Sequence, residues 1–111
     1  MEERRKDHRI EWREPVEYQL NEDPRSGGCL ACDLSEGGLK MNSSQFLPLN
    51  SRMRVNLRVM AETIINLPGK VVWVQQLPYS ERYQVGVEFA EEDLNPKAKE
   101  EIRQYIRSRR Y

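Results

Sequence analysis

The sequence predicts an all-β domain, a small antiparallel barrel with one α-helix attached at its C-terminus. Three observations carry that prediction. Several short stretches alternate apolar and polar residues, most clearly Met53, Val55, Leu57 and Val59 against Arg54, Asn56 and Arg58. Polar turns containing Gly, Pro, Asn or Asp separate these stretches. After Asp93 the apolar spacing changes to that of a helix, and strands followed by a terminal amphipathic helix suit a barrel with a partner for its helix. At 111 residues the chain has the size of one domain.

The elements follow in order. Residues 1–13 are polar and charged, with Ile10 and Trp12 as the only large apolar side chains after Met1, and read as a flexible arm. Val16, Tyr18 and Leu20 alternate with Glu17 and Gln19, the period of a half-buried strand. Residues 21–28 (NEDPRSGG) form a loop by composition. Cys29 to Leu34 is a second strand, closed by Ser35, Glu36, Gly37 and Gly38, and Leu39 to Asn42 a third. Met53 to Val59 follows after a Pro-containing turn. Ile64 to Leu67 and Gly69 to Gln75 are one long strand or two, with an edge or bend expected at Pro68, which lacks a ladder donor. Tyr83, Val85, Val87 and Phe89 alternate around Gly86. The barrel is thus placed in residues 14–92. A helix over 94–110 begins with Asn95 as N-cap and Pro96 at its first position, and carries Ala98, Ile102, Tyr105 and Ile106 on one narrow stripe.

Charge and cysteine content narrow the functional classes. The 18 basic and 18 acidic residues cancel, which disfavours a general nucleic-acid binder. The balance is local, however: the first nine residues hold four Lys or Arg, and the last nine hold four Arg and no acid. The latter set, Arg103, Arg107, Arg109 and Arg110, reads as the solvated face and frayed end of the helix. No apolar run reaches the roughly 20 residues of a membrane span and the N-terminus is polar, so a cytoplasmic protein is expected. Cys29 and Cys32 stand alone as CxxC, and the single His8 completes neither a metal site nor a triad. They read as reduced cysteines in or near the core. No nucleophile–base pair is visible, so an enzyme is not expected.

Two segments carry the remaining chemistry. Arg4, Arg5 and Arg9 place three guanidinium forks on the arm, and Arg5 and Arg9, four apart, share a face in either a helical or an extended arm. Such a fork donates two parallel hydrogen bonds to O6 and N7 of guanine or to two phosphate oxygens. Asp33 and Ser35, two apart at a strand end, fall on one face, and a carboxylate accepts from N1–H and the amino group on the other edge of guanine. Gly37 and Gly38 permit positive φ and close approach of a ligand. Each segment alone is an ordinary charged tail or an ordinary turn. Trp12 and Trp73 read as core or arm-packing residues, with Trp12 also placed to stack on a base. Glu91, Glu92 and Asp93 read as the acidic end of the last strand.

Together the segments resemble the PilZ domain family of bacterial cyclic di-GMP receptors. That family's RxxxR motif, with a preceding Arg, matches Arg5, Arg9 and Arg4, and its [D/N]xSxxG motif matches Asp33, Ser35 and Gly38. The similarity extends through Leu39 to Met41, the Gly69 to Val74 strand and the Val85 to Phe89 strand, nearly the whole chain in the family's order. The resemblance implies a six-stranded antiparallel barrel with a C-terminal helix. It implies an arm that closes over the ligand and creates a surface for a protein partner. It also implies ligand contacts from Arg4, Arg5, Arg9, Asp33, Ser35 and Gly38. Arg4 before RxxxR implies a stacked, intercalated cyclic di-GMP dimer as the bound species. The family accepts Asn where Asp33 stands, so the resemblance implies that hydrogen-bond acceptance can suffice there without the charge. From the residues themselves, no metal, cofactor or catalysis is expected, because no nucleophile–base or metal constellation is visible. The alternative readings are a PilZ-like interaction module that has lost nucleotide binding and, less favoured by the net charge, a nucleic-acid binder using the arm.

Overall fold

The computed structural model describes residues 9–21, 26–60, 63–90 and 95–109. Seven strands and one helix follow in order: β1 (Ile10–Glu11), β2 (Pro15–Leu20), β3 (Ser26–Leu34), β4 (Gly38–Ser43), β5 (Arg52–Met60), β6 (Thr63–Gln76), β7 (Tyr83–Phe89) and α1 (Pro96–Arg109). Every pairing is antiparallel. β2 joins β5, β5 joins β6, β6 joins β7, β7 joins β4, β4 joins β3, and β3 returns to β2, which closes a six-stranded barrel. Closure removes the unpaired edges that an open sheet of this size would expose. β1 is a two-residue addition against the end of β3, with Ile10 opposite Leu34 and Glu11 opposite Asp33.

The alternation seen in sequence is the inside–outside alternation of the barrel. Val16, Tyr18 and Leu20, then Met53, Val55, Leu57 and Val59, then Val85, Val87 and Phe89 all point inward. Among the described residues the ladder register shifts at three places, in β3 between Ala31 and Asp33, in β5 between Arg58 and Met60, and in β6 between Val71 and Trp73, and the first and last of these bulges matter for the outer face. Ala31 and Leu34, three apart, are therefore both buried, while Cys32 and Asp33 between them are not. In β6 Val71 is buried, whereas Val72 and Trp73 both lie outside. A bulge bends its strand and re-aims the side chains that follow it.

β6 is one continuous strand. Pro68 sits within it opposite Arg54, and its carbonyl accepts the Ala90 N–H at 3.0 Å. A strand residue aims its N and O at the same neighbour, so the missing donor of Pro68 faces the end of the β6–β7 ladder, which begins at Gly69 and Phe89. The proline thus costs no interior rung: of one strand or two, β6 is one, with Pro68 at the edge of its ladder with β7. β3 begins at Ser26 rather than Cys29, since Gly27 and Gly28 pair with Tyr18 and Glu17.

The helix begins as its cap signal requires: Asn95 Oδ1 accepts the Lys97 N–H at 2.8 Å. Ala98, Ile102, Tyr105 and Ile106 are buried in the same core as the barrel interior. Ile10 and Trp12, few as they are, are buried too, at 8% and 1% exposure. Residues 9–12 of the arm are therefore seated on the barrel, and the Trp12 N–H also donates to the Cys32 carbonyl at 3.0 Å. Cys29 and Cys32 are both free thiols. Burial pushes the Cys29 thiol above its ordinary value, against smaller opposing effects of a hydrogen bond to Ser43 and the charge of Arg82.

Candidate ligand cleft on the outer barrel face

Arg9 and Asp33, 24 residues apart, meet on the outside of the barrel: Arg9 Nη1 donates to Asp33 Oδ1 at 2.7 Å. Lys40, opposite Asp33 in the β3–β4 ladder, brings its Nζ to 3.5 Å from Oδ2. One carboxylate thus holds two cations. With Arg9 33% and Asp33 20% exposed, the pair is screened and is worth at most about 1 kcal/mol. Asp33 faces outward because of the bulge at Cys32. Strict alternation from Cys29 and Ala31 would have turned it inward.

The pair borders a cleft of about 360 Å³, whose walls include Ser35, Gly38, Lys40, Trp73, Gly86 and Glu88. Trp73 is the aromatic face of this cleft. Its indole lies across Gly86, where a Cβ would stand 2.3 Å from Nε1. The bulge at Val72 has turned Trp73 out to 39% exposure, so it is not the core residue that alternation from Val71 suggested. Trp12 takes the opposite place from the one expected of it. Its indole is buried, and its Nε1–H donates to the Tyr105 hydroxyl at 3.0 Å, so it is unavailable to stack on a base.

The Asp33 turn is held from within. The Ser35 N–H donates to the Gly38 carbonyl at 2.9 Å, and the Ser35 hydroxyl accepts from the Gly37 N–H at 3.2 Å while donating to the Gly38 carbonyl at 3.3 Å. Ser35 is 1% exposed and borders the cleft mainly as the residue that shapes the turn. Neither Gly37 nor Gly38 has positive φ. Gly38 is needed for a different reason: a Cβ there would lie 2.2 Å from the Val87 carbonyl oxygen of β7. The turn is also tied to the helix. Arg103, read from sequence as solvated, donates from Nε to Glu36 Oε1 at 3.2 Å and from Nη1 to Glu100 at 2.9 Å. The Glu36 hydrogen bond, with its charge, holds the Arg103 guanidinium above its ordinary value.

Four of the six residues expected at the ligand therefore border one cleft: Arg9, Asp33, Ser35 and Gly38. Arg4 and Arg5 lie outside the described residues, as do His8 and the acidic run Glu91, Glu92 and Asp93. Sequence reasoning did not find Lys40, although its place opposite Asp33 follows once the hairpin register is known. A larger groove, about 710 Å³, runs over β2, β5 and β6. Its Arg54, Asn66 and Asn56 side chains bond to one another, and it holds none of the motif residues. Chemistry favours the smaller cleft. Among the described residues no helix is long and apolar enough to cross a membrane, and no group of His, Cys, Asp or Glu is arranged to hold a metal.

Comparison with known proteins agrees with this geometry. The Bacillus subtilis inhibitor of motility MotI/DgrA superposes with a TM-score of 0.77 at 20% identity, covering 96% of this chain and 51% of that one. The PilZ domain of Escherichia coli YcgR, solved with c-di-GMP, gives 0.75 at 14% identity over 96% of this chain and 91% of its own. The K. pneumonia MrkH–c-di-GMP complex gives 0.74 at 18% identity over 96% of this chain and 52% of its own. The chain thus spans about half the length of MotI/DgrA and MrkH. At these identities the likeness concerns the fold. No curated protein sequence matches significantly. The PilZ domain model, however, matches residues 3–108, which include both motifs, the barrel and nearly all of the helix. With that match over almost its whole length, the chain belongs to the PilZ domain family.

Proposed function

We propose that this domain is a non-enzymatic receptor for cyclic di-GMP, read out through a protein partner. The observation that carries the proposal is the meeting of Arg9 and Asp33 at 2.7 Å beside an aromatic-walled cleft on the outer barrel face. These are the two groups that guanine recognition needs, a guanidinium fork for O6 and N7 and a carboxylate for N1–H and the amino group. YcgR and MrkH, of the same fold, were solved with that dinucleotide.

Arg9 and Asp33 now bond to each other, so a guanine that engages both must part them. The pair is weak enough to allow it, at about 1 kcal/mol or less. Trp73 offers a ring face for stacking, and Lys40 a second cation for phosphate. Arg4 and Arg5 join from the arm, and with Arg4 present the bound species is the intercalated dimer. β1 and Trp12 are seated, so arm closure does not need residues 10–12 to move. Closure of the arm over the ligand then builds the surface a partner reads, an order–disorder switch.

Titration calorimetry with cyclic di-GMP tests this. Wild type should saturate with heat, and Arg5→Ala, Arg9→Ala and Asp33→Ala should each weaken binding by about 1–3 kcal/mol. No saturable heat at ligand concentrations on the order of tens of micromolar would refute the receptor reading and favour an interaction module without nucleotide.

A further inference from the structure

Both halves of the cleft are held by the same helix. On the arm side, Trp12 stands three residues after Arg9 and reaches Tyr105, 93 residues away, through a buried hydrogen bond and an edge-to-face ring contact at 6.5 Å and 79°. The Tyr105 hydroxyl also accepts from Arg109 Nη1 at 2.9 Å, with the guanidinium 5.5 Å from the ring centroid. On the turn side, Glu36 stands three residues after Asp33 and meets Arg103 of α1, 67 residues away. Arg103 and Tyr105 are two apart on one helix, so a single rigid element contacts both the arm and the turn, which also pair directly through Glu11 and Asp33.

We propose that α1 is the positioning element of the ligand site, with Tyr105 acting through Trp12 on Arg9, and Arg103 acting through Glu36 on the Asp33 turn. This deepens the receptor reading and rests on it. β1 is too short to place Arg9 alone, since a two-residue pairing is marginal without burial. Its anchor is Trp12, whose backbone N–H also bonds the carbonyl of Cys32, the bulge residue that turns Asp33 outward. Trp12 therefore ties the helix to both members of the Arg9–Asp33 pair. By linkage, whatever seats α1 strengthens ligand binding, and ligand strengthens the seating of α1 by the same factor. A partner that grips the helix is thus in a position to change affinity at the cleft.

Tyr105→Phe removes the acceptor of the buried Trp12 Nε1–H and keeps the ring. It should weaken cyclic di-GMP binding roughly five- to tenfold, because an arm seated for only part of the time lowers apparent affinity by that fraction. The distinguishing measurement repeats the substitution in an Arg9→Ala background. There the further loss should be clearly smaller than in the wild-type background, since Tyr105 has no Arg9 left to place and acts only through the Cys32 carbonyl beside Asp33. An equal loss in both backgrounds marks general destabilisation and overturns the proposal, as does wild-type affinity in Tyr105→Phe. Arg103→Gln, an exterior change that leaves the core packing intact, gives a second cycle with Glu36→Gln. It should weaken binding roughly two- to fivefold alone and add nothing to Glu36→Gln, and a full additional loss there overturns the turn-side contact. Failure of wild type to bind overturns the receptor reading itself, whereas wild-type binding with additive losses overturns only the role of the helix.

Discussion

Gly38→Ala separates two roles that the family motif leaves merged, ligand approach and barrel closure. An added Cβ would lie 2.2 Å from the Val87 carbonyl oxygen and 3.2 Å from Glu88 Cα, all of it backbone of the paired strand β7. Carbon and oxygen need roughly 1 Å more than that, so β4 and β7 must separate at the start of their ladder, where Gly38 faces Glu88. Overpacking of this kind costs about 1–3 kcal/mol, and a backbone clash that no rotamer relieves belongs at the upper end. The lost flexibility of the unfolded chain returns about 0.4–1 kcal/mol. The net is about 2–2.6 kcal/mol. At roughly 4 °C per kcal/mol for a domain of this size, Tm should fall by about 8–10 °C. Thermal unfolding followed by far-UV circular dichroism without ligand is the assay. A Tm within about 2 °C of wild type, with ligand binding lost, would show that Gly38 serves the ligand alone and refute the closure argument.

Three further outcomes follow from the same contacts. In Gly86→Ala the nearest atoms an added Cβ meets belong to the half-exposed Trp73 indole, a side chain rather than backbone, so it should cost under about 1 kcal/mol in urea unfolding yet shift Trp73 fluorescence and weaken ligand binding. Asn95→Ala removes the N-cap bond to Lys97 and should lower stability by about 1 kcal/mol in the same urea assay. Cys29 is buried and its thiol is pushed up, so the folded state keeps a proton that the unfolded chain gives up above the ordinary thiol value. Stability should therefore fall as pH rises past that value, and Cys29→Ser should flatten the fall in urea titrations at alkaline pH.

Alternation made the barrel legible because strands facing one core must obey a period of two, and the cap and stripe of α1 were equally plain. The bulges were not. Cys32 and Val72 are ordinary strand residues, and nothing in their type marks an extra residue in the ladder. Yet those two positions decide that Asp33 and Trp73 face the cleft. Asp33 is legible from its chemistry, whereas a period of two counted from Ala31 would turn it inward. Trp73 reads as a core or arm-packing residue, and only the bulge at Val72 turns it outward. The partners of Trp12 and Glu36 lie 93 and 67 residues away, a separation no local pattern encodes. Gly38 was legible as necessary, though the reason is a neighbour's carbonyl rather than its own φ.

If Arg9 and Asp33 read guanine from its two edges, cyclic di-GMP and cyclic di-AMP must part company in calorimetric titrations, since adenine lacks both the O6 acceptor and the N1–H donor. Saturable binding of the guanine dinucleotide is expected, with adenine binding weaker by at least about tenfold and most of that preference lost in Asp33→Ala. Equal affinity for the two dinucleotides, or a preference untouched by Asp33→Ala, would contradict that reading.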